Sequence, residues 1–140
     1  MMELFFKPKS VAVVGASGTP GKLGYVIVKN VADSDFAGEL YPVNPKSDEI
    51  LGYKVYRSLL DIPGDVDLVV TALPTPKITV SAVQECAKKG VKAIIIESAG
   101  FAEIGGEGKE LQQQIVDIAR EHNIRVMGPN CSGIVSKDIV

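Results

Sequence analysis

Glycine recurs at every third position in Gly15-Ala-Ser-Gly18-Thr-Pro-Gly21-Lys-Leu-Gly24, directly after the apolar run Ser10 to Ala16. Glycines at this spacing let backbone N–H groups approach phosphate oxygens, and a helix that starts at the end of the loop adds partial positive charge. Ser17, Thr19 and Lys22 supply further donors. Two familiar phosphate loops are excluded. Ser17 stands where the dinucleotide fingerprint has its middle glycine, and no Gly-Lys-Ser/Thr sequence completes a Walker A loop. A glycine-rich turn serving only tight strand-to-helix packing is the alternative reading.

The next informative residues are Val43-Asn44-Pro45-Lys46, at the end of a second apolar run, Glu39 to Val43. NAD-binding domains commonly carry Asp or Glu here to accept hydrogen bonds from a ribose 2′-hydroxyl. A neutral amide followed by a cation suits a phosphorylated ribose better, since Lys46 attracts a phosphate that a carboxylate would repel. Coenzyme A, with its 3′-phosphate, or NADP is favoured over NAD, unless Lys46 is an ordinary solvated lysine. Three more runs end in small or turn-forming residues: Leu73-Pro74-Thr75-Pro76, Glu97-Ser98-Ala99-Gly100-Phe101 and Gly128-Pro129-Asn130-Cys131-Ser132-Gly133.

These segments need a scaffold that brings them together, and the intervening sequence describes one. The runs Ser10 to Ala16, Glu39 to Val43, Asp67 to Leu73, Val91 to Glu97 and Ile124 to Gly128 are nearly continuously apolar, as strands covered on both faces are. Helical stripes separate them: Leu23, Ile27 and Val31; then Val80, Val83 and Ala87; then Leu111, Ile115, Ile118 and Ala119. Thr75 before Pro76 reads as an N-cap with proline in the first turn, and Lys88-Lys89-Gly90 reads as a C-terminus. The second crossover offers only a short turn around Ser58 to Asp61. Such alternation predicts an α/β fold: a doubly wound, mostly parallel five-stranded sheet of Rossmann type, ordered 3-2-1-4-5 along the chain. Ligands of such sheets bind outside the carboxyl ends of the strands, where all five turns fall.

Bulk properties bound the partners. The chain has 140 residues, 46% hydrophobic and 23% charged, which suits one globular domain spanning 1–140. A net charge of −2 and no basic run longer than Lys88-Lys89 argue against nucleic acid. No apolar stretch approaches the roughly 18 to 20 residues of a membrane span, and the N-terminus lacks a signal-peptide pattern, so a cytoplasmic location is expected. Cys86 and Cys131 have neither CxxC nor Cys/His metal spacing, and no metal site is expected.

Taken together, Phe6-Lys-Pro-Lys-Ser10, Val14-Gly-Ala-Ser17 with Pro20-Gly21, Tyr41-Pro-Val-Asn-Pro-Lys46, Ser98-Ala-Gly-Phe-Ala102 and Gly128-Pro-Asn-Cys131 resemble the CoA-binding domain of the ADP-forming acetyl-CoA and acyl-CoA synthetases, relatives of the succinyl-CoA synthetase alpha subunit. The resemblance covers nearly the whole chain. It implies that the glycine loop binds CoA phosphates, that the strand-two lysine lies by the nucleotide, and that the last two turns lie near the pantetheine arm. Those roles fall on Gly15, Ser17, Gly18, Gly21, Asn44, Lys46, Ser98, Ala99, Gly100, Asn130 and Cys131. Ser132 departs from the family, where many relatives have leucine or proline. The resemblance also implies partners, either further synthetase domains or an ATP-grasp subunit, and places the family's phosphorylated histidine in a later domain.

No catalytic residue is expected in this chain. His122, among Arg120, Glu121 and Asn123, reads as a solvated helix cap, since a catalytic histidine needs a placed partner and a cleft. Cys86 reads as a packed helix residue; Cys131 reads either as filler or as a thiol beside the CoA thiol. Glu103, Glu107 and Glu110 read as a solvated face. The competing functional readings are a synthetase domain that supplies CoA, a stand-alone CoA-binding regulatory or carrier protein, a CoA-binding module of a protein acetyltransferase, and a fragment of an NADP-dependent dehydrogenase.

Overall fold

The computed structural model describes residues 2–135. Five strands, β1 (Ser10–Val14), β2 (Glu39–Val43), β5 (Leu68–Thr71), β6 (Ala93–Ile96) and β7 (Arg125–Met127), form one parallel sheet. Short strands β3 (Glu49–Ile50) and β4 (Tyr53–Lys54) pair as a separate antiparallel hairpin. A short helix α1 (Glu3–Phe6) precedes the sheet, and α2 (Leu23–Asp33), α3 (Pro76–Lys89) and α4 (Gly106–Glu121) connect its strands. The second crossover carries only a 3-10 turn, Leu59–Asp61, as the sequence predicts. Ser58 caps that turn by accepting from the Leu60 N–H, while Asp61 accepts from the Ser58 N–H at 3.1 Å.

The doubly wound parallel sheet is as expected, but the strand order is not 3-2-1-4-5. It is β2-β1-β5-β6-β7, which along the chain is 2-1-3-4-5, the other common doubly wound order. Pro42 supplies the reason. Its carbonyl faces away from β1 and accepts from the Tyr56 N–H at 3.0 Å, so the N–H that proline lacks is missing on that outer side. A full strand there would lose a ladder bond, which confines β2 to the edge. The third run is then free to take an interior place beside β1, where all four residues of β5 are buried.

Alternation of side chains across the sheet divides the core in two. Ala12, Val69, Ile94 and Ile96 face α3, α4 and the Leu59 turn. Val11, Val13, Val70 and Ile95 face α2, Phe5, Ile50 of the hairpin and Val55 just after it. Fully burying each of these valine and isoleucine side chains contributes about 1.5–3 kcal/mol. The caps of α3 are those the sequence predicts: Thr75 accepts from the Ile78 N–H, Pro76 opens the helix, and Gly90 closes it at φ +83°. The buried stripe of α2 is displaced from the expected Leu23, Ile27 and Val31 to Gly24, Val28 and Val31.

Gly24 explains the displacement. A Cβ at Gly24 would lie 2.0 Å from the Gly15 carbonyl oxygen, so the first turn of α2 rests backbone on backbone against the end of β1. Gly24→Ala is expected to destabilise the fold by about 3 kcal/mol, because the obstacle is backbone and cannot rotate away. Gly64→Ala, with φ +75° but nothing within 4 Å, is expected to lose only about 1 kcal/mol. Urea denaturation of both variants measures the contrast.

Candidate functional site

The order reverses at β1. The helix after β1 covers one face of the sheet and the helix after β5 covers the other, so a crevice opens beyond the carboxyl ends of these two strands. The turn that borders the glycine loop is therefore the one after β5, at Ala72 and Leu73. A Cβ at Gly15, where φ is +90°, would lie 2.3 Å from the Ala72 carbonyl oxygen and 3.1 Å from Leu73 Cδ2. The Ala72 N–H donates to the Val14 carbonyl at 2.8 Å, and the N–H groups of Gly15 and Ala16 share the Val43 carbonyl at 3.1 and 3.2 Å. Backbone bonds thus tie together the ends of β2, β1 and β5.

Several of the singled-out side chains act as straps in this arrangement. Asn44 Nδ2 donates to the Ala16 carbonyl at 2.7 Å, and Asn44 Oδ1 accepts from the Lys46 N–H at 2.7 Å. Its amide is committed to joining the strand-two turn to the glycine loop. Ser98 Oγ donates to the Leu73 carbonyl at 2.7 Å, joining the ends of β6 and β5, and the Asn130 N–H donates to the Ser98 carbonyl at 3.0 Å. Ser17 Oγ accepts from the Thr19 N–H at 3.1 Å and shapes the loop. Gly100 has φ +95°, and a Cβ there would meet Pro76 Cγ at 3.1 Å, so its small size is a packing requirement.

Other groups are left open. Gly18, Thr19, Pro20, Gly21 and Lys22 are exposed, and the N–H groups of Ser17, Gly18 and Gly21 meet no acceptor among the described residues. Lys22 stands at the N-cap of α2 without a side-chain cap bond, leaving that helix terminus unsatisfied beside the loop. Lys46 is exposed at the end of β2, Ala99 and Asn130 are exposed, and Cys131 is half-buried against the α2-side core. The arrangement offers backbone donors, a helix N-terminus and a cation with no carboxylate in the glycine loop or the Asn44–Lys46 turn, which is an environment for anionic oxygen.

Residues set aside in the sequence also fall into place. His122 is the exposed C-cap of α4, where its carbonyl accepts from Lys92 Nζ at 3.2 Å. Cys86 is fully buried, and burial pushes its thiol pKa up. Glu103 is not simply a solvated side chain: its carboxylate accepts from the N–H groups of Gly100 and Phe101 and closes the Ser-Ala-Gly turn. The Gly100 N–H holds the Glu103 carboxyl below the usual carboxylate range. Such short-range side-chain-to-backbone bonds have a sequence signal only in the spacing, two and three residues after the N–H groups concerned. No group of His, Cys, Asp and Glu among the described residues could hold a metal ion, and no helix among them is long and apolar enough to cross a membrane. An open cavity of about 350 Å³ lined by Val116, Ala119, Arg120, Asn123, Ile124 and Arg125 lies at the opposite end of the sheet, away from every strand-end turn.

Glu97, which follows β6, is half-buried in the crevice region, 3.0 Å from where a Cβ on Gly133 would stand. Burial pushes its carboxyl above the usual carboxylate range. The folded protein then binds this proton more tightly than the unfolded chain does, so the group favours folding at low pH and that contribution is lost as pH rises through the folded value. Glu97→Gln is expected to raise stability at pH 7 and to give no gain at pH 4, as read from denaturation midpoints at the two pH values.

Comparison with known proteins agrees with this geometry. The CoA binding domain family matches residues 9–137. The chain is 47% identical over 138 residues to the alpha subunit of acetate–CoA ligase (ADP-forming) I from Pyrococcus furiosus, covering 96% of this chain and 30% of that protein. Among solved structures, acetyl-coenzyme A synthetase 1 of Ca. Korarchaeum cryptofilum, in complex with phosphate and ADP, superposes with a TM-score of 0.87 at 38% identity, over 93% of this chain and 27% of that one. A hypothetical protein from Pyrococcus horikoshii OT3 superposes with a TM-score of 0.75 at 28% identity, over 93% of this chain and 82% of that one. The chain therefore spans less than a third of the synthetase relatives and most of a smaller protein. With the fold, the strand-end turns and the family match in agreement, the chain belongs to the CoA binding domain family.

Proposed function

We propose that residues 1–140 form a CoA-binding domain that holds CoA, or acyl-CoA, for an ADP-forming acyl-CoA synthetase, with thioester formation carried out together with other domains or an ATP-grasp subunit. The observation that carries this reading is the pairing of an exposed glycine loop, in which the N–H groups of Ser17, Gly18 and Gly21 meet no acceptor among the described residues, with the Asn44–Lys46 end of β2. The N–H groups of Ser17, Gly18 and Gly21 receive the diphosphate, and Lys46 pairs with the 3′-phosphate. Ala99, Asn130 and Cys131 line the path of the pantetheine arm. Gly15, Asn44, Ser98 and Gly100 hold these groups in place. The chain supplies no catalytic group of its own, and His122 lies outside the chemistry.

The similarity over 82% of the small Pyrococcus horikoshii protein favours a second reading, a stand-alone CoA-binding protein with a regulatory or carrier role. A module of a protein acetyltransferase would use the same crevice. An adjacent ATP-grasp subunit or domain in the parent gene distinguishes the synthetase from the stand-alone protein.

Calorimetry tests the shared core of these readings: the chain is expected to bind CoA and to have little affinity for NAD, and equal affinity for the two would contradict it. Gly18 is well suited to the accompanying mutation, because its nearest neighbour, Ile50 Cγ1, would lie 4.0 Å from an added Cβ and its φ is not positive. Gly18→Asp is expected to keep its thermal midpoint while abolishing CoA binding, since a carboxylate then occupies the space a phosphate must approach.

Lys46 is expected to act through the 3′-phosphate. Wild type should prefer CoA to dephospho-CoA, and Lys46→Ala should shrink that preference by about 1.5–3 kcal/mol, the contribution of one charge-assisted contact. An unchanged preference would assign Lys46 to solvent.

A further inference from the structure

Residue type and backbone conformation disagree at Leu51. Strands β3 and β4 are joined by the two-residue turn Leu51-Gly52, with φ +52° and +82°. Positive φ at both positions defines a type I′ turn, whose first residue is ordinarily Asn, Asp or Gly. Leucine has no side-chain hydrogen bond to offset the left-handed conformation. Nor does the fold use its side chain, which is 44% exposed, whereas the adjacent Ile50 is 2% exposed. Where a local rule is broken without a structural gain, a functional contact is the usual reason.

The surroundings indicate what that contact is. Ile50 Cγ1 is the nearest atom to the Cβ position of Gly18, so the hairpin stands against the glycine loop. Arg57 fixes it there: Nη1 donates to the Pro45 carbonyl at 2.6 Å and Nη2 to Asp48 Oδ1 at 2.8 Å, while the Val55 N–H donates to the Asp48 carbonyl at 3.0 Å. The hairpin and the Asn44–Lys46 turn are thereby one unit. At the other end of the loop Leu23, the first residue of α2, is 48% exposed. Apolar side chains therefore border a loop whose own groups are polar and suited to anions. A nucleotide matches that combination, with phosphates on the loop and a flat base with apolar faces beside it.

We propose that Leu51 is a specificity residue of the nucleotide site, providing the apolar surface on which the adenine base of CoA rests while Lys46 holds the neighbouring 3′-phosphate. This rests on the CoA-binding reading above. Leu51→Asn separates function from folding, because asparagine suits the turn better than leucine does. Leu51→Met keeps an apolar side chain.

The test uses the 140-residue chain, with thermal unfolding and calorimetry against CoA, adenosine 3′,5′-bisphosphate and 4′-phosphopantetheine. Leu51→Asn is expected to unfold at or above the wild-type temperature. Its Kd for CoA and for the bisphosphate is expected to rise by about fivefold or more, as loss of a buried leucine contact implies, with the phosphopantetheine Kd unchanged. Leu51→Met is expected to bind close to wild type. Unchanged CoA affinity in Leu51→Asn would overturn the proposal. So would an equal loss for all three ligands, which would make the hairpin a support for the loop, or a loss of binding in Leu51→Met equal to that in Leu51→Asn. Wild-type protein that binds none of the three would overturn the CoA-binding reading itself, and this proposal with it.

Discussion

At Gly15 three pieces of backbone meet without room for a side chain. A Cβ on Gly15 would collide with the Ala72 carbonyl after β5, and a Cβ on Gly24 would collide with the carbonyl of Gly15 itself. This contact seats α2 on the end of β1, sets β5 beside it, and leaves Gly18 to Lys22 to arch outward as an exposed loop. The site depends on it. If the helix stood further away by the width of a methyl group, its uncapped N-terminus and the N–H groups of Ser17, Gly18 and Gly21 would no longer converge. The two core clusters on either side of the sheet hold the three elements in this contact.

Around that point the polar residues divide by whether their hydrogen bonds are already made. Asn44, Ser98 and Glu103 have theirs made, to Ala16, to Leu73, and to Gly100 with Phe101. They fix the relative positions of neighbouring turns, so the crevice is shaped before any ligand arrives, and less ordering entropy is lost on binding. The N–H groups of Ser17, Gly18 and Gly21 and the side-chain ammonium groups of Lys22 and Lys46 lack such partners among the described residues. These are the groups able to exchange water for phosphate oxygens. The same division separates Asn44, whose amide is committed, from the exposed Lys46 two residues on.

Much of the architecture was legible because its signals are strong and local. The buried strands read as unbroken apolar runs, and α3 carries its own start and stop in Thr75-Pro76 and Lys89-Gly90. The turn at Leu59–Asp61 falls where the sequence offers a short turn, around Ser58 to Asp61. The strand order also has a signal in the sequence: Pro42 confines its strand to an edge, which rules out the expected 3-2-1-4-5. The α2 stripe was shifted because Gly24 makes its contact through backbone and has no hydrophobicity to register. The β3–β4 hairpin escaped notice because two-residue strands have no period, and Leu51-Gly52 does not resemble a type I′ turn in composition. All five strand-end turns follow the parallel strands as the sequence places them, yet whether a polar side chain there is a strap or a free donor depends on distances that no spacing encodes.

The central claim is that CoA enters the strand-end crevice at the switch between β1 and β5. Backbone amide chemical shifts of the 15N-labelled chain, followed as CoA is added, test it most directly. The account predicts that the largest shifts fall on Ser17, Gly18, Gly21, Lys46 and Ala99. It would be contradicted by large shifts at Val116, Asn123 and Arg125, around the cavity at the other end of the sheet, with the strand-end amides unmoved.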